Sequence, residues 1–221
     1  MSKLRRLVER EIEAYTALQA NVSGRVVQEE GLSIFCAPGV MSPTNRVTRC
    51  FAATLNGLSA AFVLDLGCGS GILALVAARC AREVVGVDID PLAVACARCN
   101  ADLNLTSNVR FLLGDGYAPV DGQMFDLIVS NPPFYAANGI ASLPLPMCQA
   151  ENSLLNSLIQ GVRTHLNPGG KALFVTSSLS DNGRVKADLQ ANHLDYSQRL
   201  LHRGYGRSQD IYLWQAKASN W

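Results

Sequence analysis

The sequence predicts a doubly wound α/β fold with a mostly parallel sheet of seven strands. From residue 61 onward, short runs alternate with longer stretches in which apolar residues recur at helical spacing. The short runs are apolar almost throughout, as in strands buried on both faces of a parallel sheet. Strand and helix in strict alternation build a sheet with helices on each face. The sequence therefore predicts a fold in which ligands bind outside the carboxyl ends of the strands.

The predicted elements follow one another without an internal repeat or a low-complexity segment. The predicted strands are 62–66, 83–88, 109–113, 125–130, 171–176, 196–201 and 210–216. The predicted helices are 45–55, 72–80, 91–104, 152–166 and 183–192. Pro91 suits a first helical turn and Asp90 the cap before it, whereas Ser42 or Thr44 is expected to cap the helix at 45–55. The turn residues at 167–170 are expected to end the helix at 152–166.

Residues 1–60 are predicted to form an N-terminal extension of a domain that spans residues 61–221. Residues 4–19 carry an apolar stripe at helical spacing, and residues 25–36 alternate as in a strand or a hairpin. A loop rich in turn residues, 38–45, connects this hairpin to the next helix. The first helix would either pack on the domain or cover a bound ligand as a lid, and the pattern leaves both interpretations open.

Composition gives no argument for a polyanionic partner. The chain of 221 residues is 17% charged with a formal net charge of +1, whereas proteins that bind nucleic acid through long-range electrostatics are usually basic. Its cysteines number seven, an odd count with no signal peptide ahead of it, so we expect reduced thiols in a cytoplasmic protein. Cys96 and Cys99 form a lone Cys-x-x-Cys without a second pair or a nearby histidine, so we expect no metal site. We expect no membrane partner either, because no apolar run reaches the roughly 18 residues of a membrane span.

A glycine-rich loop, Gly67-Cys68-Gly69-Ser70-Gly71, follows the first predicted strand and its Asp65. Glycines let the backbone approach a ligand closely, and the helix that follows offers free N–H groups to an anionic group. The spacing is neither the Gly-x-Gly-x-x-Gly of nicotinamide or flavin enzymes nor a P-loop. The loop is interpreted as a cofactor cradle, with a purely structural tight turn as the alternative.

Acidic residues end the next two predicted strands. Asp88, followed by Ile89, can accept hydrogen bonds from the two hydroxyls of a ribose. Asp115, followed by Gly116, can accept from the exocyclic amine of an adenine. A helix cap at Asp88 and a turn aspartate at Asp115 are the plain alternatives, although Asp90 fits the cap better.

The tetrapeptide Asn131-Pro132-Pro133-Phe134 follows the fourth predicted strand. Two prolines fix the backbone and remove two N–H donors, which leaves carbonyl oxygens without competing donors. An amine could donate to the Asn131 side-chain oxygen and to the Pro132 carbonyl, so that its lone pair points at a methyl donor. Phe134 and Tyr135 could stack on a planar substrate. A rigid turn is the structural alternative, and it is weakened by the glycine loop and the two acids upstream.

These motifs together resemble a Rossmann-like, class I S-adenosylmethionine-dependent methyltransferase over residues 61–177. The resemblance is to the Asn-Pro-Pro-Phe/Tyr group, which includes release-factor glutamine and small-domain RNA N-methyltransferases, and it implies an antiparallel last strand. It implies S-adenosylmethionine as the cofactor and a set of cofactor-binding residues. That set is Asp65, Gly67, Gly69, Gly71, Asp88, Ile89, Asp115, Gly116 and Asn131.

The resemblance also implies catalysis by Asn131, Pro132 and Phe134. Substrate contacts are expected from four further positions, Thr44, Pro133, Tyr135 and Tyr205. The near-neutral charge and the short N-terminal extension favour a small-molecule amine or a protein side chain as the methyl acceptor over an RNA base.

Two other functions remain open at this stage. The enzyme could cyclise the aminobutyryl part of the cofactor, as azetidine-2-carboxylate synthases of this fold do, with release of methylthioadenosine. The chain could also be a non-catalytic binding module, against which the intact motifs argue.

Overall fold

The structure is a computed structural model that describes residues 13, 16–17, 20–21, 23–133, 135–136, 148–149, 154–204 and 209–219. Its strands are β1 (Val26–Glu29), β2 (Leu32–Phe35), β3 (Ala60–Leu66), β4 (Ala81–Asp88), β5 (Val109–Leu113), β6 (Phe125–Ser130), β7 (Tyr135–Ala136), β8 (Cys148–Gln149), β9 (Leu166–Ser177), β10 (Leu194–His202) and β11 (Ile211–Ala218). Its helices are α1 (Arg46–Leu55), α2 (Ile72–Ala78), α3 (Pro91–Leu103), α4 (Leu154–His165) and α5 (Asn182–Ala191).

Seven strands form the main sheet, in the order β10-β11-β9-β6-β3-β4-β5. The pairs β3–β4, β3–β6, β4–β5 and β6–β9 are parallel, and β11 runs antiparallel to both of its neighbours. The predicted fold class is confirmed, including the antiparallel last strand. The strand order reverses between β3 and β6, and in sheets of this kind the ligand site lies at the carboxyl ends of the strands beside that point.

Both faces of the sheet are covered, which explains why its strands are apolar on both sides. Helices α1, α2 and α3 and the β1–β2 hairpin contribute to one cluster of buried side chains, and α4 and α5 contribute to the other. The second cluster includes Trp214, which is fully buried and stacks on Phe174. The indole N–H of Trp214 donates to the Thr176 hydroxyl at 2.8 Å, so burial of this polar group leaves no donor unpaired.

Two asparagines one helical turn apart attach the hairpin to α3. The Asn100 carboxamide accepts from the Phe35 N–H and donates to the Phe35 carbonyl, and the Asn104 carboxamide pairs in the same way with Ser33. The spacing matches because residues i and i+4 share a helix face and residues i and i+2 share a strand edge. Asn100 also donates to the Ser70 carbonyl at 2.9 Å. The hairpin is thereby linked to the glycine-rich loop.

The predicted N-cap of α1 is wrong. The Asn45 side chain, and not that of Ser42 or Thr44, caps α1 by accepting from the Thr48 N–H at 2.9 Å. Ser42 and Thr44 instead hydrogen-bond to each other through their hydroxyl groups at 2.8 Å. All three residue types are good caps, and only the path of the loop decides which one sits at the first free N–H. The Asp90 cap of α3 is confirmed.

Other boundaries differ by a few residues. Strand β9 begins at Leu166, and its pairing with β6 is interrupted between Phe125 and Leu127, so residues 167–170 are an irregular part of the strand and not a separate loop. The predicted helix at 4–19 falls almost entirely outside the described residues, so its role stays a prediction. In the part of the chain that the structure describes, every helix is too short or too polar to cross a membrane.

Candidate functional site

The candidate site lies where four neighbouring parallel strands end. In the register of the sheet, Asp65 of β3 stands beside Gly86 of β4 and Val129 of β6, and Asp88 stands beside Leu113 of β5. The loops after these strands therefore meet at one edge. Adjacent strands lie about 5 Å apart, so the ends of β4 and β6 are roughly 10 Å apart with the glycine-rich loop between them.

The glycine-rich loop has a backbone that requires its glycines. Gly67, Gly69 and Gly71 have φ of 78°, 52° and 83°, a region that residues with a Cβ seldom adopt. The N–H groups of Gly67 and Cys68 donate to the Val87 carbonyl at 2.8 and 3.0 Å, which holds the loop against the end of β4. A Cβ at Gly71 would lie 3.0 Å from both Ala97 and Phe111, and one at Gly67 would collide with Leu154. The loop is thus bent sharply and packed closely from beneath.

Asp65 is completely buried under this loop. Its Oδ2 accepts from the Ala74 N–H at 3.0 Å, and its Oδ1 has no hydrogen-bond partner among the described residues. Burial raises the pKa of Asp65 to about 7, opposed by the Ala74 N–H and reinforced by the nearby Asp88. A buried carboxylate oxygen without a donor favours a ligand that brings one, above all a cationic donor such as an ammonium group.

Asp88 at the end of β4 organises the site from the other side. Its Oδ2 accepts from the Gly69 N–H at 2.8 Å and its Oδ1 from the Asp90 N–H at 3.0 Å. Burial raises the pKa of Asp88, and these N–H donors oppose the rise. Each carboxylate oxygen can accept a second hydrogen bond. The predicted ribose contact is therefore compatible with the bonds that Asp88 already makes.

Residues that follow β4 and β5 offer an apolar and a polar surface at the same edge. Ile89 is 68% exposed, which is unusual for an isoleucine beside a buried strand. Asp115 is exposed, whereas the next residue, Gly116, is buried with φ of 53°. A Cβ at Gly116 would lie 3.4 Å from the Ser157 side chain, so the first turns of α4 lie close to this loop.

Asn131 directly follows β6 on the far side of the glycine-rich loop. The preceding Ser130 donates its hydroxyl proton to the Leu66 carbonyl at 2.7 Å, which ties the end of β6 to the start of the loop. The Asn131 Nδ2 donates to the Thr48 Oγ1 at 3.1 Å, and its Oδ1 makes no hydrogen bond with the described residues. The side-chain oxygen can accept hydrogen bonds at the carboxyl edge of the sheet.

The remaining predicted residues are described only in part. Pro132 is buried and Pro133 is half-buried. Tyr135 lies in the short strand β7, whose side chains are not described, and Phe134 and Tyr205 lie outside the described residues. Thr44 lies in the loop before α1, where its hydroxyl is paired with that of Ser42.

Comparison with known families identifies the domain. Residues 31–191 match the family model of the methyltransferase small domain. The chain belongs to this family. The match begins within the β1–β2 hairpin and ends with α5, so it includes every strand end described above and nearly three quarters of the chain.

Individual relatives agree with this assignment. The chain is 43% identical over 117 residues to a ribosomal protein L11 methyltransferase of Dechloromonas aromatica, which covers 52% of this chain and 32% of the relative. It is 37% identical over 144 residues to the protein of the same name from Burkholderia cenocepacia, which covers 65% of this chain and 40% of that relative. The chain thus spans only about a third to two fifths of the length of these relatives.

Solved structures share the fold. A ribosomal protein L11 methylase of Lactobacillus delbrueckii subsp. bulgaricus superposes with a TM-score of 0.62 at 24% identity, over 83% of this chain and 84% of that one. A 16S rRNA N2-guanine methyltransferase (RsmC) of T. thermophilus, in complex with AdoMet and guanosine, superposes with a TM-score of 0.64 at 22% identity, over 88% of this chain and 50% of that one.

S-adenosylmethionine is the cofactor of this methyltransferase small domain. The residues at the carboxyl edge of the sheet fit S-adenosylmethionine. Asp65 has a buried oxygen without a donor among the described residues, and the glycine-rich loop admits a close ligand. The exposed Ile89 lies beside the acidic Asp88. The orphaned oxygen of Asp65 suits the cofactor's ammonium group, and Asp88 and Ile89 suit its adenosine.

Two features of the site had no signal in the sequence pattern. Thr48 lies within α1, 83 residues before its partner Asn131. The pattern of apolar residues in that helix shows only that Thr48 faces inward. Leu154 and Ser157 of α4 pack beside Gly67 and Gly116. These contacts follow from how helices pack against strand ends, which no local spacing encodes.

Proposed function

We propose that this protein is an S-adenosylmethionine-dependent N-methyltransferase whose acceptor nitrogen is held by Asn131 and Pro132. The observation that carries the proposal is the Asn131 carboxamide. Its Nδ2 donates to Thr48, and no described residue donates to its Oδ1, which lies next to the loop assigned to the cofactor. An acceptor-only oxygen followed by two prolines suits a substrate that arrives with N–H donors.

The chain's own contribution is orientation. An amine that donates to the Asn131 Oδ1 and to the Pro132 carbonyl would have its lone pair directed away from both oxygens. A fixed lone pair turns a bimolecular displacement into an effectively intramolecular one, which can supply several kcal/mol of the barrier. The same two oxygens would stabilise the positive charge that develops on nitrogen.

When bound, the cofactor would supply the electrophilic methyl group. The acceptor nitrogen would gain the methyl group and lose a proton to solvent, and the sulfur would keep the electron pair of the broken carbon–sulfur bond. Different residues along the carboxyl edge of the sheet are proposed to hold different parts of the cofactor. Asp65 would take its ammonium group and Asp88 its ribose hydroxyls. Ile89, Asp115 and Gly116 would surround its adenine.

A protein side-chain amine is the acceptor class that we place first. The curated relatives that match residues of this domain are named ribosomal protein methyltransferases, and the net charge of +1 gives no general attraction for RNA. A small-molecule amine comes second. RNA comes third, supported by the names of structural neighbours that share only the fold with this chain.

The test is to incubate the purified protein with methyl-labelled S-adenosylmethionine and each acceptor pool in turn: ribosomal proteins, a panel of small amines, and RNA. Formation of adenosylhomocysteine matched by label in one pool is the expected result. Asn131→Ala should lower the rate by about 100-fold or more, since it removes one of the two groups that orient the nitrogen.

The matched control is Asn56→Ala, because Asn56 is exposed and lies before β3, at the opposite edge of the sheet. It should leave the rate unchanged. Turnover that survives Asn131→Ala would remove the proposed catalytic role. Methylthioadenosine formed with no acceptor present would show cofactor cyclisation and overturn methyl transfer.

A further inference from the structure

We propose that Thr48 is a positioning residue that fixes which end of the Asn131 carboxamide faces the substrate. The inference rests on the proposed function, because it explains how that function's acceptor oxygen comes to be presented. Thr48 belongs to α1, outside every motif that the sequence singles out. Its side chain is buried, with 5% of the residue exposed.

The need for such a residue follows from the chemistry of a carboxamide. Rotation by 180° exchanges an acceptor oxygen for a donor NH2 group of almost the same shape. With Oδ1 outward, Asn131 accepts from an amine; with Nδ2 outward, it would oppose the amine's N–H groups and compete for its lone pair. Some neighbouring group must therefore select one orientation.

The selection begins at Asn45, whose own orientation is fixed by main-chain groups. Its Oδ1 accepts from the Thr48 backbone N–H at 2.9 Å, and its Nδ2 donates to the Ser42 carbonyl at 2.6 Å. A backbone N–H can only donate and a carbonyl can only accept, so the Asn45 carboxamide cannot be reversed. Its Nδ2 is thereby also aimed at the Thr48 Oγ1, at 2.8 Å.

Thr48 passes this orientation on to Asn131. Its Oγ1 receives the Asn45 Nδ2 at 2.8 Å and the Asn131 Nδ2 at 3.1 Å. A hydroxyl oxygen can accept two hydrogen bonds. Because both carboxamide groups donate to it, the Thr48 Oγ1 acts as an acceptor toward Asn131, which holds Nδ2 inward and turns Oδ1 away from Thr48.

The competing explanation is that Thr48 only packs and supports the cap of α1. The two explanations differ in what the hydroxyl does toward Asn131. The cap bond is made to the Thr48 backbone N–H, and the hydroxyl also accepts from the capping Asn45 Nδ2. Thr48→Val keeps the shape and the cap bond but removes the acceptor from both Asn45 and Asn131. Thr48→Ser restores the acceptor. Thr54→Val is the control, because Thr54 lies on the same helix and its hydroxyl donates to the Phe51 carbonyl at 2.7 Å.

The first experiment is NMR on 15N-labelled protein and needs no acceptor. The Asn131 side-chain NH2 signals are assigned by their loss in Asn131→Ala. We expect Thr48→Val to shift both signals and to speed their exchange with water by about tenfold or more, and Thr48→Ser and Thr54→Val to leave them near their original positions. Unchanged Asn131 signals in Thr48→Val would overturn the proposal. If Thr48→Val does not fold, Thr48→Ala is measured in the same way.

The second experiment uses whichever acceptor pool gives turnover. We expect Thr48→Val to lower kcat by about 10- to 100-fold with little change in the KM for S-adenosylmethionine, Thr48→Ser to recover most of it, and Thr48→Val to add nothing in an Asn131→Ala background. Full additivity of the two changes would contradict a role exerted through Asn131. A positive NMR result without turnover on any pool would leave Thr48 as the group that orients Asn131 and place the failure on the proposed function.

Discussion

Asp65 and Asp88 end neighbouring parallel strands, yet they do different work. Asp65 is buried under the glycine-rich loop, Asp88 accepts from the Gly69 N–H of that loop, and burial raises the pKa of each. Asp88 uses its two oxygens to hold the N–H groups of Gly69 and Asp90. Asp65 uses only one oxygen, on the Ala74 N–H, and keeps the other without a donor in the interior.

The comparison shows that two aspartates at the same edge of the sheet can have different roles in binding. A carboxylate whose oxygens are engaged by backbone stabilises the loop before any ligand arrives. A carboxylate with an unengaged buried oxygen is costly in the free protein and gains its partner only on binding. We therefore expect changes at Asp65 to affect mainly the coupling between pH, stability and ligand, and changes at Asp88 to affect the loop itself.

The largest effect should be the pH dependence that Asp65 imposes on stability. Its folded pKa of about 7 lies above the ordinary value of 3.8, so between these values the folded state holds a proton that the unfolded state has lost. The free energy of unfolding should therefore fall as pH rises from 5 to 7, by roughly 2 kcal/mol from this group, and level off above about pH 8. Urea denaturation across this range checks it.

Asp65→Asn is the matched variant, because it keeps the shape and cannot ionise. The difference in unfolding free energy between the wild type and Asp65→Asn should contain the pH dependence that Asp65 contributes. Saturating S-adenosylmethionine should flatten the wild-type slope if its ammonium group pairs with Asp65. A difference that does not vary with pH would show that Asp65 is already ionised in the folded protein.

Asp88→Ala should weaken cofactor binding by about 100-fold or more and lower the unfolding free energy by about 2 kcal/mol, because two N–H groups of the loop lose a charged acceptor. Asp126→Ala is the control at the opposite edge, where Asp126 also accepts from two backbone N–H groups, those of Ala61 and Phe62. It should lower stability by a similar amount and leave affinity unchanged. Calorimetric titration separates them; equal affinity losses would remove the assignment of Asp88 to the site.

Two glycine substitutions test how tightly the loop is packed between these acids. Both positions have positive φ, but a Cβ at Gly69 meets nothing within 4 Å, whereas one at Gly71 lies 3.0 Å from Ala97 and Phe111. Gly69→Ala should cost about 1 kcal/mol through backbone strain alone, and Gly71→Ala about 2–3 kcal/mol. Denaturation midpoints measure both. A larger loss at Gly69 would mean that the loop packs differently.

Ile89→Ala should produce the smallest effect. Ile89 is 68% exposed, so its loss should change the unfolding free energy by less than about 0.5 kcal/mol. If adenine packs on it, cofactor affinity should still fall by roughly 3- to 10-fold. Leu105→Ala, at a residue 92% exposed on the turn after α3, is the control and should change neither quantity. Unchanged affinity in Ile89→Ala would place the adenine elsewhere.

The sequence predicts positions along this edge better than it predicts roles. Asp65, Asp88 and Asn131 could be located because strand ends in a parallel sheet share one edge, and apolar runs mark where each strand stops. The sequence could not predict that Asp65 leaves one oxygen unengaged. This depends on where the chain after the loop places the Ala74 N–H relative to the Asp65 carboxylate. The same limit explains the wrong cap at Ser42 or Thr44, where the path of the loop selected Asn45.

Long-range partners were the least predictable part. Thr48 could be placed in a helix, but its contact with Asn131 depends on how α1 packs beside β6, and nothing within either segment specifies it. Asn100 and Asn104 likewise follow a helical pattern as ordinary polar residues. Their pairing with β2 becomes visible only when helix and hairpin are brought together.

The strand order has a consequence for how the protein is made. Strand β11, Ile211–Ala218, is inserted between β9 and β10, so β10 is joined to the sheet only through a strand that leaves the ribosome after it. The strands from β3 to β9 can pair as they emerge, whereas β10 can pair only after β11, which contains Trp214, has been synthesised. A nascent chain stalled before residue 211 should therefore expose the unpaired edge of β9, and chaperones that recognise exposed strand edges should bind it there.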